Sequence, residues 1–110
     1  MQIYVDADSC PVKEEVYRVA RRYDLGVTLV AAGWQRVPLD VRVHLEVVKD
    51  TGALDVADDW IAERIQPGDV LISEDILLAS RCVPRGARAL NSRGKELTPD
   101  SIGDAVAMRA

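Results

Sequence analysis

Short apolar runs alternate with segments of helical periodicity along the whole chain, and this alternation constrains the fold more than any other feature. "QIYVDA" (2–7), "VTLVAA" (27–32), "DVLIS" (69–73) and "ARAL" (87–90) read as buried strands. "VRVHLEVV" (41–48) alternates strictly. Val41, Val43, Leu45 and Val47 fall on one face and Arg42, His44 and Glu46 on the other, the pattern of a half-exposed strand at a sheet edge. Between the strands, Val12, Val16, Val19, Ala20 and Tyr23 recur at helical spacing. Asp8 or Ser9 caps that helix, Pro11 sits in its first turn where a missing N–H costs nothing, and Gly26 ends it.

"LDVADDWIAERIQ" is a second helix, with Asp55 as N-cap, Asp58 three positions on, Trp60 in the core and Pro67-Gly68 as the stop. Residues 75–83 form a third, with Leu78, Ala79, Cys82 and Val83 inward, and Thr98-Pro99 opens a last one ending near Arg109. Residues 33–40 and 91–97 read as loops. The order β-α-β-loop-β-α-β-α-β-α predicts an α/β protein: three layers, α/β/α, around a mostly parallel sheet of about five strands. At 110 residues there is material for one domain, 1–110, and no second.

Composition narrows the functional classes. The net charge of −4 argues against nucleic-acid binding through bulk charge, although a local basic patch can exist on an acidic protein. Cys10 and Cys82 lack the spacing of a zinc site. No signal peptide and no apolar stretch near the ~20 residues of a membrane span is visible, so a cytoplasmic protein with reduced thiols and no membrane partner is expected.

In sheets of this kind ligands bind beyond the carboxyl ends of the strands, near the point where strand order reverses. Three groups of acids are expected at that edge: Asp6 and Asp8 after the first strand, Glu74 and Asp75 after "VLIS", and Asp55, Asp58 and Asp59 in the first turn of the middle helix. Capping and the helix macrodipole, at about 0.3–1 kcal/mol each, account for Asp8, Asp55, Asp58 and Asp75. They do not account for Asp6, which ends a buried strand ahead of the cap. Carboxylates converging with few nearby lysines suit a hard divalent cation, Mg²⁺ or Mn²⁺, which activates water and stabilises charge on a phosphodiester.

The runs "VDADSCP", "GALDVADDWI", "LISEDILLAS" and "ALNSRGKELT" resemble, in order and spacing over almost the whole chain, the YaiI/YqxD family of uncharacterised bacterial proteins. The resemblance implies a PIN-like Rossmannoid sheet and a metal-dependent ribonuclease site. Its acids would map to Asp6 and Asp8, to Asp55, Asp58 or Asp59, and to Asp75, with Asp6 and Asp75 as the catalytic pair and RNA as the partner. The chain departs from the family pattern at Ser9, Glu74, Leu77 and Ser92. Glu74 adds charge beside Asp75, which either strengthens metal binding or weakens phosphate approach. Members usually continue some tens of residues further, a stretch expected to carry substrate contacts or a dimer surface.

Substrate contacts are expected from Arg93 and Asn91 in the 91–94 loop and from Arg36 beside Trp34, which either stacks on a base or packs on the domain. Arg81 and Arg85 read as a solvated helix face, Cys10 as a packed helix-start residue, and His44, the sole histidine, as a surface residue. The edge strand 41–48 is one place for pairing into a homo-oligomer, although Arg42 and Glu46 discourage it. The alternatives are a non-catalytic metal- or RNA-binding or interaction module on the same fold and, fitting less well, a haloacid-dehalogenase-like phosphatase. The phosphatase would need a Ser or Thr ending another strand; "LVAAG" lacks it, and no lysine lies between Lys49 and Lys95. A phospho-receiver domain, with only Lys95 as its late lysine, fits less well still.

Overall fold

A computed structural model describes residues 1–9, 13–38, 42–48 and 56–109. Five strands run parallel: β1 (Gln2–Asp6), β2 (Gly26–Ala31), β3 (Val43–Val47), β4 (Val70–Ile72) and β5 (Arg88–Leu90). A sixth, β6 (Glu96–Leu97), joins β5 antiparallel. The order across the sheet is β3-β2-β1-β4-β5-β6, so strand order reverses between β1 and β4. The helices are α1 (Lys13–Tyr23), α2 (Val56–Arg64), α3 (Ile76–Cys82) and α4 (Pro99–Arg109). The expected three-layer α/β/α architecture is therefore present, with six strands in place of about five. The missed strand is two residues long, too short for its alternation to register against a loop.

The handedness of the crossovers decides which face each helix covers. A parallel β-α-β crossover is right-handed, so a connection stepping one way along the sheet lies on one face and a connection stepping the other way lies on the opposite face. The β1-α1-β2 step sends α1 to one side. The steps to β4 and β5 send α2 and α3 to the other, where α4 joins them. Two buried clusters result. Ile3, Val5, Val27, Leu29 and Ile72 pack with Tyr17 and Ala20 under α1. Val30, Leu71 and Ala89 pack with Ile61, Ile65, Leu78, Cys82 and Ile102 under the other three helices. The alternation of β1 explains the division: Ile3 and Val5 face α1 while Tyr4 faces α2.

Several local expectations need correction. Gly26 does not end α1. The helix stops at Tyr23, Asp24 takes the left-handed conformation (φ 53°), and the Leu25 N–H reaches back to the Ala20 carbonyl at 2.9 Å, a Schellman closure. Arg42 secures this corner by donating to the Asp24 carbonyl at 2.6 Å. Gly26 instead opens β2, where a Cβ would stand 2.8 Å from Gln2 Oε1. Val19 and Tyr23, expected inward, are exposed, because α1 rests on β1 and β2 through Tyr17 and Ala20 and leaves the sheet beyond uncovered. Val47 is exposed rather than buried because β3 is the last strand of the sheet. Trp60 is half-buried between Tyr4 and the guanidinium of Arg64. Val83 is likewise half-buried, whereas Leu78, Ala79 and Cys82 point inward as expected. Burial pushes the Cys82 thiol up to about 11, which makes it unreactive near neutral pH. Val12 and Val41, and the roles expected for Cys10, Pro11 and Asp55, lie outside the described residues.

Candidate functional site

The reversal of strand order places the end of β1 beside the end of β4. Asp6, the last residue of β1, is buried there at 7% exposure. Ser73, the first residue past β4 and 1% exposed, donates its hydroxyl to Asp6 Oδ2 at 3.1 Å. The same Ser73 Oγ accepts the Asp75 N–H at 2.9 Å. Since that lone pair is occupied by a backbone donor, the single hydroxyl proton is aimed at the carboxylate. Ser73 thus ties the strand carrying Asp6 to the start of α3. Sequence reasoning passed over it; a hydroxyl ending the apolar run "DVLIS" was the available signal.

Asp8 lies in a 3-10 turn, Ala7–Ser9, immediately past β1. Its Oδ2 accepts the Ala32 N–H at 3.1 Å, which draws the segment after β2 to the same edge. Trp34 follows two residues later, at most about 7 Å of extended chain from that contact, and is 78% exposed. Arg36 is exposed on the same segment. Of the two packings expected for Trp34, burial against the domain is therefore not the one adopted.

Asp75 is the N-cap of α3: its Oδ1 accepts Leu77 N–H at 2.9 Å and Leu78 N–H at 3.3 Å. The capping contribution expected from sequence is present. Glu74 does something not foreseen. Its Oε1 accepts both the hydroxyl and, at 2.6 Å, the backbone N–H of Ser92, clamping the β4–α3 connection to the β5–β6 turn. Those two bonds, with the positive charge of Arg93 adding to them, hold the Glu74 carboxyl below its ordinary range. Asn91 Oδ1 accepts the N–H groups of Arg93 and Lys95, both at 3.0 Å, so its side chain organises this turn. Arg93 is exposed at the turn's tip.

The middle acids behave differently. Asp59 is paired with Arg81 of α3 at 2.7 Å, and Asp58 contributes to the negative field around that guanidinium. Arg81 is therefore held in an ion pair and is not simply a solvated residue. The structure brings Asp6, Ser73 and the Asp75 backbone into one hydrogen-bonded chain and places Asp8 beside it. Asp59 is directed to α3. Among the described residues, no group of three or more His, Cys, Asp or Glu side chains is placed to hold a metal ion.

The fold and this edge define an α/β protein whose strand-order reversal is marked by a buried carboxylate. The family model described as "Uncharacterized BCR, YaiI/YqxD family" matches residues 4–110, and the chain belongs to that family. A UPF0178 protein of Rhodopseudomonas palustris (strain TIE-1) is 56% identical over 108 residues, which are 98% of this chain and 67% of the relative. A UPF0178 protein of Rhodospirillum centenum is 54% identical over 110 residues, covering 100% of this chain and 70% of the relative. One from Caulobacter sp. (strain K31) is 51% identical over 107 residues, covering 97% and 70%. The chain thus spans about two thirds of the length of these relatives. No solved structure matches it. No helix among the described residues is long and apolar enough to cross a membrane.

Proposed function

We propose that the chain is a divalent-metal-dependent phosphodiesterase acting on RNA, with a PIN-like sheet and its chemistry at the carboxyl edge between β1 and β4. The observation that carries this reading is Asp6, a carboxylate 7% exposed at the strand-order reversal. Neither capping nor the macrodipole requires an acid there.

The donor set suits Mg²⁺ or Mn²⁺, which take one or two carboxylates and complete their shell with water and phosphate oxygens. Asp6 and Asp8 are the first ligands. Asp8 commits Oδ2 and Asp75 commits Oδ1 to backbone amides, while Asp8 Oδ1 and Asp75 Oδ2 have no hydrogen bond among the described residues. Asp59 is left out of the set because its carboxylate is turned to Arg81 of α3. Once bound, the ion supplies Lewis acidity and an activated water. The protein's own part is orientation: Ser73 fixes Asp6, the α3 cap fixes Asp75, and the Ala32 amide fixes Asp8. Trp34 offers a base-stacking face, and Arg36 and Arg93 are exposed cations for phosphates.

The test is a calorimetric Mn²⁺ titration of wild type and Asp6→Asn, run beside incubation with a labelled single-stranded RNA. Wild type should bind the ion and cut the RNA; Asp6→Asn should do neither. Equal cutting by both proteins would end the proposal. The second reading is a non-catalytic metal- or RNA-binding module. Its RNA-binding form is supported by Trp34 and Arg36, exposed on the segment that Asp8 draws to this edge. On that reading RNA is retained intact with or without Mn²⁺.

A further inference from the structure

A groove of about 340 Å³ opens on the α1 face of the sheet, on the opposite side of β1 from Tyr4 and away from the Asp6 carboxylate's Ser73 contact. Its floor is Ile3, Val70, Ile72 and Leu90; Val16 and Val19 of α1 form one wall and the Asn91–Gly94 turn the other. The cause is topological. Right-handed crossovers carry α2 and α3 to the far face, and α1 is the one helix among the described residues that packs on this one. The β4–β5 half of the face is therefore uncovered. Val19, a β-branched apolar residue at 48% exposure, borders the gap. The lining is mainly apolar, with Glu15 and Arg93 as its charged residues.

The relatives contain more chain than the part matched here. If 108 residues are 67% of the Rhodopseudomonas palustris relative, about 50 of its residues lie outside the match. A helix of 3–4 turns, the ordinary length in globular proteins, needs only about 10–14 of them. We propose that the groove seats an amphipathic helix from this additional segment, completing the α layer on the α1 face. The rim sets its chemistry. Glu15 stands on the α1 side and Arg93 on the turn side. The occupant presents apolar residues at i, i+3, i+4 and i+7 to the floor, a basic residue towards Glu15 and an acidic one towards Arg93.

The experiment uses a Val19→Cys variant in a Cys10→Ser background, labelled with a thiol reagent in two contexts; Cys82 is buried and serves as the internal control. In the first, the additional segment of the Rhodopseudomonas palustris relative is added as a synthetic peptide. In the second, it is fused to the chain in the relative's own order. Protection in the fusion decides the question even where the free peptide is too weak a ligand. The expected result is at least a tenfold slower labelling in the fusion, reversed by Leu90→Lys, together with a higher melting temperature. Unchanged labelling in the fusion overturns the proposal. So does a concentration-dependent dimer of the unfused chain that Val19→Asp dissociates, because a second copy would then be the occupant.

Discussion

Two buried aspartates sit at opposite ends of the sheet, and they are used differently. Asp69, 8% exposed, lies at the amino edge just before β4. Its Oδ1 accepts the Gln2 N–H at 3.0 Å and its Oδ2 the Gln66 N–H at 2.9 Å, so each oxygen holds a backbone amide. Asp6, 7% exposed, lies at the carboxyl edge and is met by the Ser73 hydroxyl. The Ser73 hydroxyl is itself oriented by the Asp75 N–H, so this contact ties Asp6 to the start of α3. Burial is nearly the same in both cases; what differs is the position, one acid at the amino edge and the other at the strand-order reversal.

Stability measurements break or sharpen that contrast. Asp69→Ala should have the largest effect, about 2–4 kcal/mol, since it strands two amide donors in a buried place; urea denaturation measures it. A cost below that of a surface substitution would remove the structural role assigned to Asp69. Ser73→Ala should cost about 1–2 kcal/mol by the same method, because it leaves the Asp75 N–H and the Asp6 carboxylate each short of one bond. Asp6→Asn should change stability by less than about 1 kcal/mol, since the amide oxygen still accepts from Ser73. It should nonetheless abolish any upward shift of melting temperature by Mn²⁺. A large loss of stability in this variant would place Asp6 with Asp69 as a structural acid.

The smallest effect concerns Glu74. Its folded-state pKa is lowered, so the clamp on Ser92 contributes fully above the ordinary carboxylate range and is lost as pH falls through the lowered value. The protection factor of the Ser92 amide, its exchange rate relative to an unstructured peptide at the same pH, should fall on acidification in wild type. In Glu74→Gln the protection factor should be lower at neutral pH and constant through that range. Identical profiles would show that the clamp does not hold the turn.

The sequence was informative where a signal repeats. Alternating apolar runs and helical spacing gave the strand and helix order, the edge position of β3 and the final helix, because burial on one face imposes a period that many residues share. Punctuation by single residues was less legible. Gly26 read as a helix stop, but a left-handed Asp24 does that work, and Gly26 opens β2 beside the Gln2 side chain. The acids show the same limit. Asp6 was distinguishable because no capping role explained it. The pairing of Asp59 with Arg81 and of Glu74 with Ser92 joins residues 22 and 18 positions apart, which no spacing rule reaches.

The sequence by itself determined the fold class, the family and the position of Asp6 at a strand's end, because these follow from periodicity and from local motifs. Only the tertiary structure decided which acids meet. That outcome depends on which strands neighbour one another and on the face to which each crossover is sent. Strand order and handedness are properties of the assembled sheet, and they brought Ser73 to Asp6, drew Asp59 away to α3 and left half of the α1 face open.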